Sequence, residues 1–130
     1  MRLLVIATAA CAAAFFAASA VAFAADAERG QQLWESRCFG CHSLDADRTG
    51  PRHRGVFGRK AGIIDGFDYS PAVKSSGVVW GEKTLDSWLT NPQGLIAGQR
   101  MNFRVATAED RTDIIAFLKR ESDPKTAKVR

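Results

Sequence analysis

The sequence has 130 residues, a formal net charge of +4, three cysteines and two histidines. This length predicts one domain. Residues 119–130 hold five basic and two acidic side chains, so the rest of the chain is close to neutral. Nucleic-acid-binding domains usually carry a basic face together with a matching fold motif, and the absence of both from this sequence argues against that class.

The first 24 residues predict a cleavable signal peptide. Met1 and Arg2 form a short basic start, and the alanine-rich segment 3–25 carries no charge. The small residues Ala22 and Ala24 fit an A-x-A cleavage site. A retained membrane anchor is the alternative, because about 20 apolar residues can span a bilayer. We therefore assign residues 1–24 to the signal, 25–122 to one domain and 123–130 to a basic, disordered tail.

Four helices are predicted along the domain. The first runs from Asp26 to Cys38, with acidic residues in its first turn, where the helix dipole favours them. Ser70 precedes a proline, which is typical of an N-cap, so a short helix is expected over residues 71–76. Residues 82–90 place apolar side chains on one face, and Asn91-Pro92 ends that helix. Thr107 and the residues after it resemble a capping box, which predicts a last helix that ends before the proline at 124.

Long irregular segments join these helices, at residues 43–66 and 93–104. Loops of this length are uncommon in a compact domain unless they have a function. A large bound cofactor would give them a surface to pack against, and it would add apolar area that a short chain lacks.

The segment Cys38-Phe39-Gly40-Cys41-His42 has three interpretations. A dithiol or disulfide site is possible in an exported protein, but a thioredoxin-like site expects a strand–helix context that is not visible. A zinc site could use Cys38, Cys41, His42 and His53, although structural zinc sites usually combine two well-spaced ligand pairs. The third interpretation is covalent haem, because C-x-x-C-H is the attachment signature of c-type haem. Each thiol would add to one vinyl group, and the imidazole would turn onto the iron.

Two residues are candidates for the second axial position of such a haem. Met101 is the only methionine after the signal, and it lies in a glycine-containing loop between two helices. A methionine that only fills the core is expected on a helix face instead. His53 is the only other histidine, and it would give bis-histidine ligation. We favour Met101.

Together these motifs resemble class I cytochrome c, the small mitochondrial-type and bacterial periplasmic carriers. The resemblance covers about residues 26–120. It rests on these segments in order: Cys38–His42, Thr49-Gly50-Pro51, Gly55–Lys60, Phe67–Ser70, Trp80, Asn91-Pro92, Met101–Phe103 and Asp113–Leu118. C-x-x-C-H alone is shared by many haem proteins, whereas the full ordered set is specific.

The resemblance implies an all-α fold, the small cytochrome c fold, with three to five helices and long loops around one haem c. The haem would be attached through Cys38 and Cys41. The first and last helices would cross at the positions of Gly30, Trp34, Ile114 and Phe117. It also implies His42 and Met101 as the axial ligands of the iron.

The resemblance implies four supporting residues around that haem. The carbonyl of Pro51 would accept the ring N–H of His42, and such a bond fixes the ring and tunes the metal. Arg59, Tyr69 and Trp80 would engage the haem propionates, because a carboxylate removed from water needs donors or positive charge.

Several positions depart from the family pattern. His53 stands where an apolar residue usually packs on the haem, and the usual loop bridge of a family histidine is an alternative role for it. Val73 replaces a common asparagine and Trp88 a common tyrosine near the methionine. Ala97 and Gln99 replace a proline and a threonine just before Met101.

These features predict a periplasmic one-electron carrier that is not an enzyme. Met/His ligation raises the potential relative to other axial sets and leaves no open site for a substrate. Expected partners are transient redox proteins: a membrane cytochrome complex, an oxidase or a periplasmic dehydrogenase. We expect a monomer without nucleic-acid binding. The alternatives are a haem peroxidase or gas-binding protein with a weak or absent Met101 ligand, for which His53 is the only candidate distal base, and a membrane-tethered carrier.

Overall fold

Helices and irregular loops make up residues 24–127, the part of the chain that the computed structural model describes. Its helices are α1 (Ala27–Arg37), α2 (Pro71–Ser75), α3 (Glu82–Thr90), α4 (Pro92–Leu95), α5 (Ala108–Arg120) and α6 (Pro124–Ala127). Within these residues the only β-type pairing is an isolated antiparallel bridge between Lys60 and Val79. The predicted all-α class is therefore confirmed.

Local capping explains most of the helix boundaries. The side chain of Asp26 accepts hydrogen bonds from the backbone N–H groups of Glu28 and Arg29, which starts α1. Ser70 caps α2 in the predicted way, by accepting from the N–H of Val73 at 3.2 Å. Asn91 ends α3, as predicted.

The predicted capping box at the start of α5 is wrong. The side chain of Thr107 makes no capping hydrogen bond, although Thr107 does occupy the N-cap position. Glu109 and Asp110 lie in the first turn of α5, where the helix dipole favours them. Asp110 does not reach back to cap the backbone, because its carboxylate accepts hydrogen bonds from Arg29 and Arg37 of α1.

Two helices of four residues each, α4 and α6, were not predicted. Each is a single turn that begins at a proline, whose fixed φ suits the first helical position. Such a turn is too short for hydrophobic periodicity to show in the sequence. The basic tail predicted from residue 123 thus starts with the α6 turn. Of the predicted signal at residues 1–24, only residue 24 is among the described residues. Residues 128–130 also lie outside them.

The crossing of α1 and α5 is confirmed as the centre of the fold. A Cβ atom on Gly30 would lie 1.9 Å from the backbone oxygen of Asp113, so only glycine lets the two backbones approach this closely. Trp34 packs against Phe117 with ring centroids 5.5 Å apart, and both residues are buried. Arg29 closes the crossing by hydrogen bonding to both Asp110 and Asp113.

The long loop after α1 is tied to the end of α5 by a buried ion pair. Arg54 donates to Glu121 at 2.7 Å, and the side chain of Glu121 has no solvent exposure. Removing one partner of such a pair strongly destabilises a protein, because the other partner is left as a buried charge without compensation. Within residues 24–127, no helix is long and apolar enough to cross a bilayer.

Candidate cofactor site

A cavity of about 440 Å³ lies between the α1–α5 crossing, α3 and the long loops. All eight of the site residues predicted from the sequence line this one cavity. They are Cys38, Cys41, His42, Pro51, Arg59, Tyr69, Trp80 and Met101. The apolar side of the wall includes core residues of two helices, namely Leu85 and Leu89 of α3 and Ile114 and Leu118 of α5.

The turn at the end of α1 brings two thiols and an imidazole to the cavity. The N–H groups of Cys41 and His42 both donate to the carbonyl of Cys38, at 3.1 and 2.9 Å. Both hydrogen bonds join residues three or four positions apart, so the spacing of the C-x-x-C-H motif is enough to form them. Cys38 is half-buried and Cys41 is exposed, and both are free thiols.

The geometry does not support the dithiol and zinc interpretations. Burial raises the pKa of the Cys38 thiol to about 11. Reactive cysteines of dithiol sites instead have a lowered pKa. Across residues 24–127, no group of three or more His, Cys, Asp or Glu side chains is placed to hold a metal ion. The proposed four-ligand zinc set is therefore wrong.

His42 is held by its backbone surroundings. Its Nδ1 donates to the carbonyl of Pro51 at 2.8 Å. A Cβ on Gly50 would lie 2.1 Å from Cε1 of the ring, so glycine is required beside it. Burial lowers the pKa of His42, with the Pro51 hydrogen bond opposing it. The imidazole is therefore neutral with its hydrogen on Nδ1, which leaves the lone pair of Nε2 available to a metal.

His53 lies beside His42 rather than across the cavity from it. The two rings are stacked with centroids 4.0 Å apart and an interplanar angle of 24°. Nδ1 of His53 accepts a hydrogen bond from Trp34 Nε1 at 2.8 Å. Burial, with a smaller effect from His42, places the pKa of His53 well below its usual range. A ring stacked on His42 does not lie across the cavity from it, so the geometry does not favour joint ligation by His42 and His53.

Met101 is supported by two neighbours. Its thioether sulfur accepts a hydrogen bond from Trp88 Nε1 at 3.2 Å, and its backbone N–H donates to Oε1 of Gln99. Trp88 is itself packed edge-on against Trp80, with ring centroids 5.2 Å apart. These contacts place the sulfur of Met101 in the cavity wall, with Trp88 where the sequence pattern expects a tyrosine.

The cavity wall also contains the polar side chains of Arg59, Tyr69 and Gln99. Arg59 donates to the backbone carbonyls of Arg54 and Arg52, at 3.1 and 2.8 Å. Burial lowers the pKa of Arg59 and raises the pKa of Tyr69. Nε2 of Gln99 is buried and has no hydrogen-bond partner among the described residues. A buried donor without an acceptor is costly, so this position fits a bound group that accepts hydrogen bonds.

The fold and the cavity define a c-type haem protein, and the chain belongs to the cytochrome c family. The sequence model described as Cytochrome c matches residues 27–121, nearly all of the described chain. The predicted class is thereby confirmed.

Similar proteins support this assignment at substantial identity. Cytochrome c 2.1 of Caenorhabditis elegans is 43% identical over 102 residues, which are 76% of this chain and 92% of that protein. Cytochrome c of Euglena viridis is 42% identical over 101 residues, 75% of this chain and 99% of that protein. Among solved structures, cytochrome cH from Methylobacterium extorquens superposes with a TM-score of 0.69 at 36% identity, covering 72% of this chain and 97% of that one.

Family membership establishes the cofactor and the general activity. A cytochrome c carries a single covalently attached haem c and transfers electrons. The residues present fit that group, because two free thiols, a neutral imidazole, a thioether and the orphan donor of Gln99 all meet at one cavity.

Sequence reasoning missed two features of this site. Gln99 was noted only as a replacement before Met101, and its unpaired buried amide is visible only in the structure. The contact of His53 with Trp34 is the second. It joins residues 19 apart, so no local sequence pattern could have predicted it.

Proposed function

We propose that this chain is a periplasmic one-electron carrier whose haem is attached through Cys38 and Cys41 and ligated by His42 and Met101. The observation that carries the proposal is that these four side chains line one cavity, and both axial candidates have a hydrogen-bonding neighbour there. When bound, the haem supplies a reversible one-electron change between ferrous and ferric iron.

The chain's own residues would keep the iron environment nearly unchanged during that cycle. Pro51 holds the ring of His42 through Nδ1, and Trp88 donates to the sulfur of Met101. Buried residues of α3 and α5 exclude water from the apolar wall. Rigid support of both ligands lowers the reorganisation that accompanies electron transfer, which is what a carrier requires.

Arg59, Tyr69 and Trp80 are proposed to hold the propionates, together with Gln99. The support is their common position on the wall and the unpaired Nε2 of Gln99. A buried carboxylate requires several donors to replace its lost hydration. Arg59 contributes positive charge as well, and its guanidinium is oriented by two backbone carbonyls.

The rival proposal, a peroxidase or gas-binding protein, needs an open sixth position and a distal base. His53 is the only candidate base in the sequence, and its ring lies against His42. This geometry favours the carrier, and we therefore propose no enzymatic activity.

We propose further that the carrier acts as a monomer in the periplasm and meets its partners transiently. Export rests on the predicted signal at residues 1–24. Cys41 is exposed and lines the cavity, so the attached edge of the haem would lie near solvent. Redox encounters usually bury little surface and are weak. A membrane cytochrome complex, an oxidase or a periplasmic dehydrogenase remains the proposed class of partner.

Carbon monoxide binding tests the proposed ligation. The reduced wild-type protein should not bind carbon monoxide, and the oxidised protein should show the weak far-red band of methionine-bound iron. Met101→Ala should abolish the band and open the iron to carbon monoxide. Rapid carbon monoxide binding by the wild type would instead favour the gas-binding rival.

Two further measurements separate the remaining parts of the proposal. The intact mass of the purified protein should include one haem, and Cys38→Ala together with Cys41→Ala should release it. N-terminal sequencing should begin near residue 25 for an exported carrier. A chain that begins at Met1 in the membrane fraction would favour the tethered alternative.

A further inference from the structure

The hydrogen bond from Trp34 to His53 determines the protonation of the second histidine. Trp34 Nε1 lies 2.8 Å from His53 Nδ1. An indole nitrogen can only donate, so Nδ1 of His53 must accept and carries no hydrogen. A neutral imidazole in that state has its hydrogen on Nε2. Trp34 is 3% exposed, so water does not compete for this bond.

The imidazole fixed in this way lies against the proposed axial ligand. The rings of His53 and His42 are nearly parallel at 4.0 Å. The hydrogen bond from His42 to Pro51 holds one edge of the ligand ring, but a single bond leaves the ring free to tilt. Gly50 and His53 both lie against the ring of His42, and their contacts restrict that tilt.

The α1–α5 crossing holds Trp34 in turn. Its ring packs on Phe117 at 5.5 Å, at the point where Gly30 allows the helices to meet. Phe117 is 1% exposed. A continuous set of contacts therefore runs from the helix crossing through Trp34 and His53 to His42.

We propose that His53 is a positioning residue for the axial imidazole: Trp34 fixes the His53 ring, and the stacked His53 ring fixes the plane of His42. The proposal rests on the proposed function, because it requires His42 on the iron. Groups around a metal-bound histidine orient it and tune the metal. In this chain the group that orients His42 is His53, at a position where the family pattern has an apolar residue.

The first test is a direct reading of the tautomer in the reduced, diamagnetic holoprotein. Nitrogen-15 shifts of His53 should identify the Nε2–H form. His53→Leu fills the position with an apolar side chain and removes the acceptor of the Trp34 hydrogen bond. The indole N–H of Trp34 should therefore exchange with solvent about tenfold faster. A His53 ring with its hydrogen on Nδ1 would overturn the proposal.

The second test separates positioning from stability. In the oxidised protein, the hyperfine shifts of the haem methyl groups report the plane of the axial imidazole. His53→Leu should alter their pattern and should also destabilise the fold, because the buried N–H of Trp34 loses its acceptor. The double variant Trp34→Phe/His53→Leu removes both polar groups, so the cost of the unpaired N–H should disappear and only the cost of the smaller ring should remain, while the methyl pattern stays altered.

Phe39→Leu is the control, because Phe39 also lies 6.0 Å from Trp34, and no ring contact of Phe39 with His42 is found among the described residues. It should leave the methyl pattern as in the wild type. A wild-type pattern in both His53→Leu and the double variant would overturn the positioning role and leave the proposed function intact. A wild-type protein without a low-spin, His/Met-ligated spectrum would instead overturn the proposed function, before any variant is made.

Discussion

Replacing Trp88 with phenylalanine should lower the reduction potential of the haem. Trp88 Nε1 donates to the sulfur of Met101 at 3.2 Å, and Trp88 is held from the side by Trp80 at 5.2 Å. Phenylalanine keeps a ring in the same place and removes the donor. The N–H draws electron density from the sulfur, which weakens its bond to ferric iron more than its bond to ferrous iron. Losing the N–H therefore stabilises the ferric state.

The magnitude follows from the energy of one hydrogen bond. Such a bond contributes about 0.5–1.5 kcal/mol, and a one-electron potential changes by about 59 mV for each 1.4 kcal/mol. Only the difference between the two oxidation states enters the potential. We therefore expect a decrease of about 20–40 mV.

A spectroelectrochemical titration at fixed pH and ionic strength measures this shift. Trp88→Tyr is the matched control, because its hydroxyl supplies a new donor for the sulfur of Met101 and should return the potential toward the wild-type value. The far-red band of the oxidised protein should persist in all three proteins. An unchanged or higher potential in Trp88→Phe, or equal potentials in the two variants, would refute the reasoning.

Three further substitutions test the fold that holds the site. Gly30→Ala would place a Cβ 1.9 Å from the backbone oxygen of Asp113, so chemical denaturation should show a net loss of about 2 kcal/mol, after the gain in helix propensity from alanine. A hydrogen bond from Arg29 lowers the pKa of Asp110 below its usual 3.8. The ionised carboxylate therefore stabilises the fold above that pH, and this stabilisation is lost as the pH falls. Asp110→Asn should therefore flatten the acid side of the melting-temperature profile. Arg54→Ala should cost about 3 kcal/mol in denaturation, because the buried carboxylate of Glu121 loses its hydrogen-bond donor and keeps only the guanidinium of Arg120 at 3.5 Å.

Matched variants control these substitutions. Gly40→Ala adds a Cβ with no heavy atom within 4 Å and should change the unfolding free energy by less than about 0.5 kcal/mol. Arg100→Ala breaks an ion pair with Asp68 whose side chains are 62% and 87% exposed, so its cost should be about 0–1 kcal/mol. Equal losses of unfolding free energy in a test variant and its control would contradict the packing and charge assignments. So would an Asp110→Asn protein that still loses stability in acid as the wild type does.

The sequence by itself determined the parts of this protein that depend on near neighbours along the chain. The spacing from Cys38 to His42 predicts the turn, because the backbone bonds from Cys41 and His42 to the carbonyl of Cys38 lie within that segment. Ser70 and Asn91 mark helix boundaries through local bonds in the same way. The ordered motifs also predicted eight residues that line the cavity, because each has a fixed place in the family pattern.

Only the tertiary structure decided how the supporting side chains are used. Thr107 had the sequence of a cap, but Asp110 bonds across the helix crossing instead of to its own backbone. His53 had several possible roles, and only the fold brings it into contact with Trp34, 19 residues away in the sequence. The Arg54–Glu121 pair joins residues 67 apart. Bonds of this kind follow from how the loops pack, and irregular loops carry no periodicity from which packing can be read.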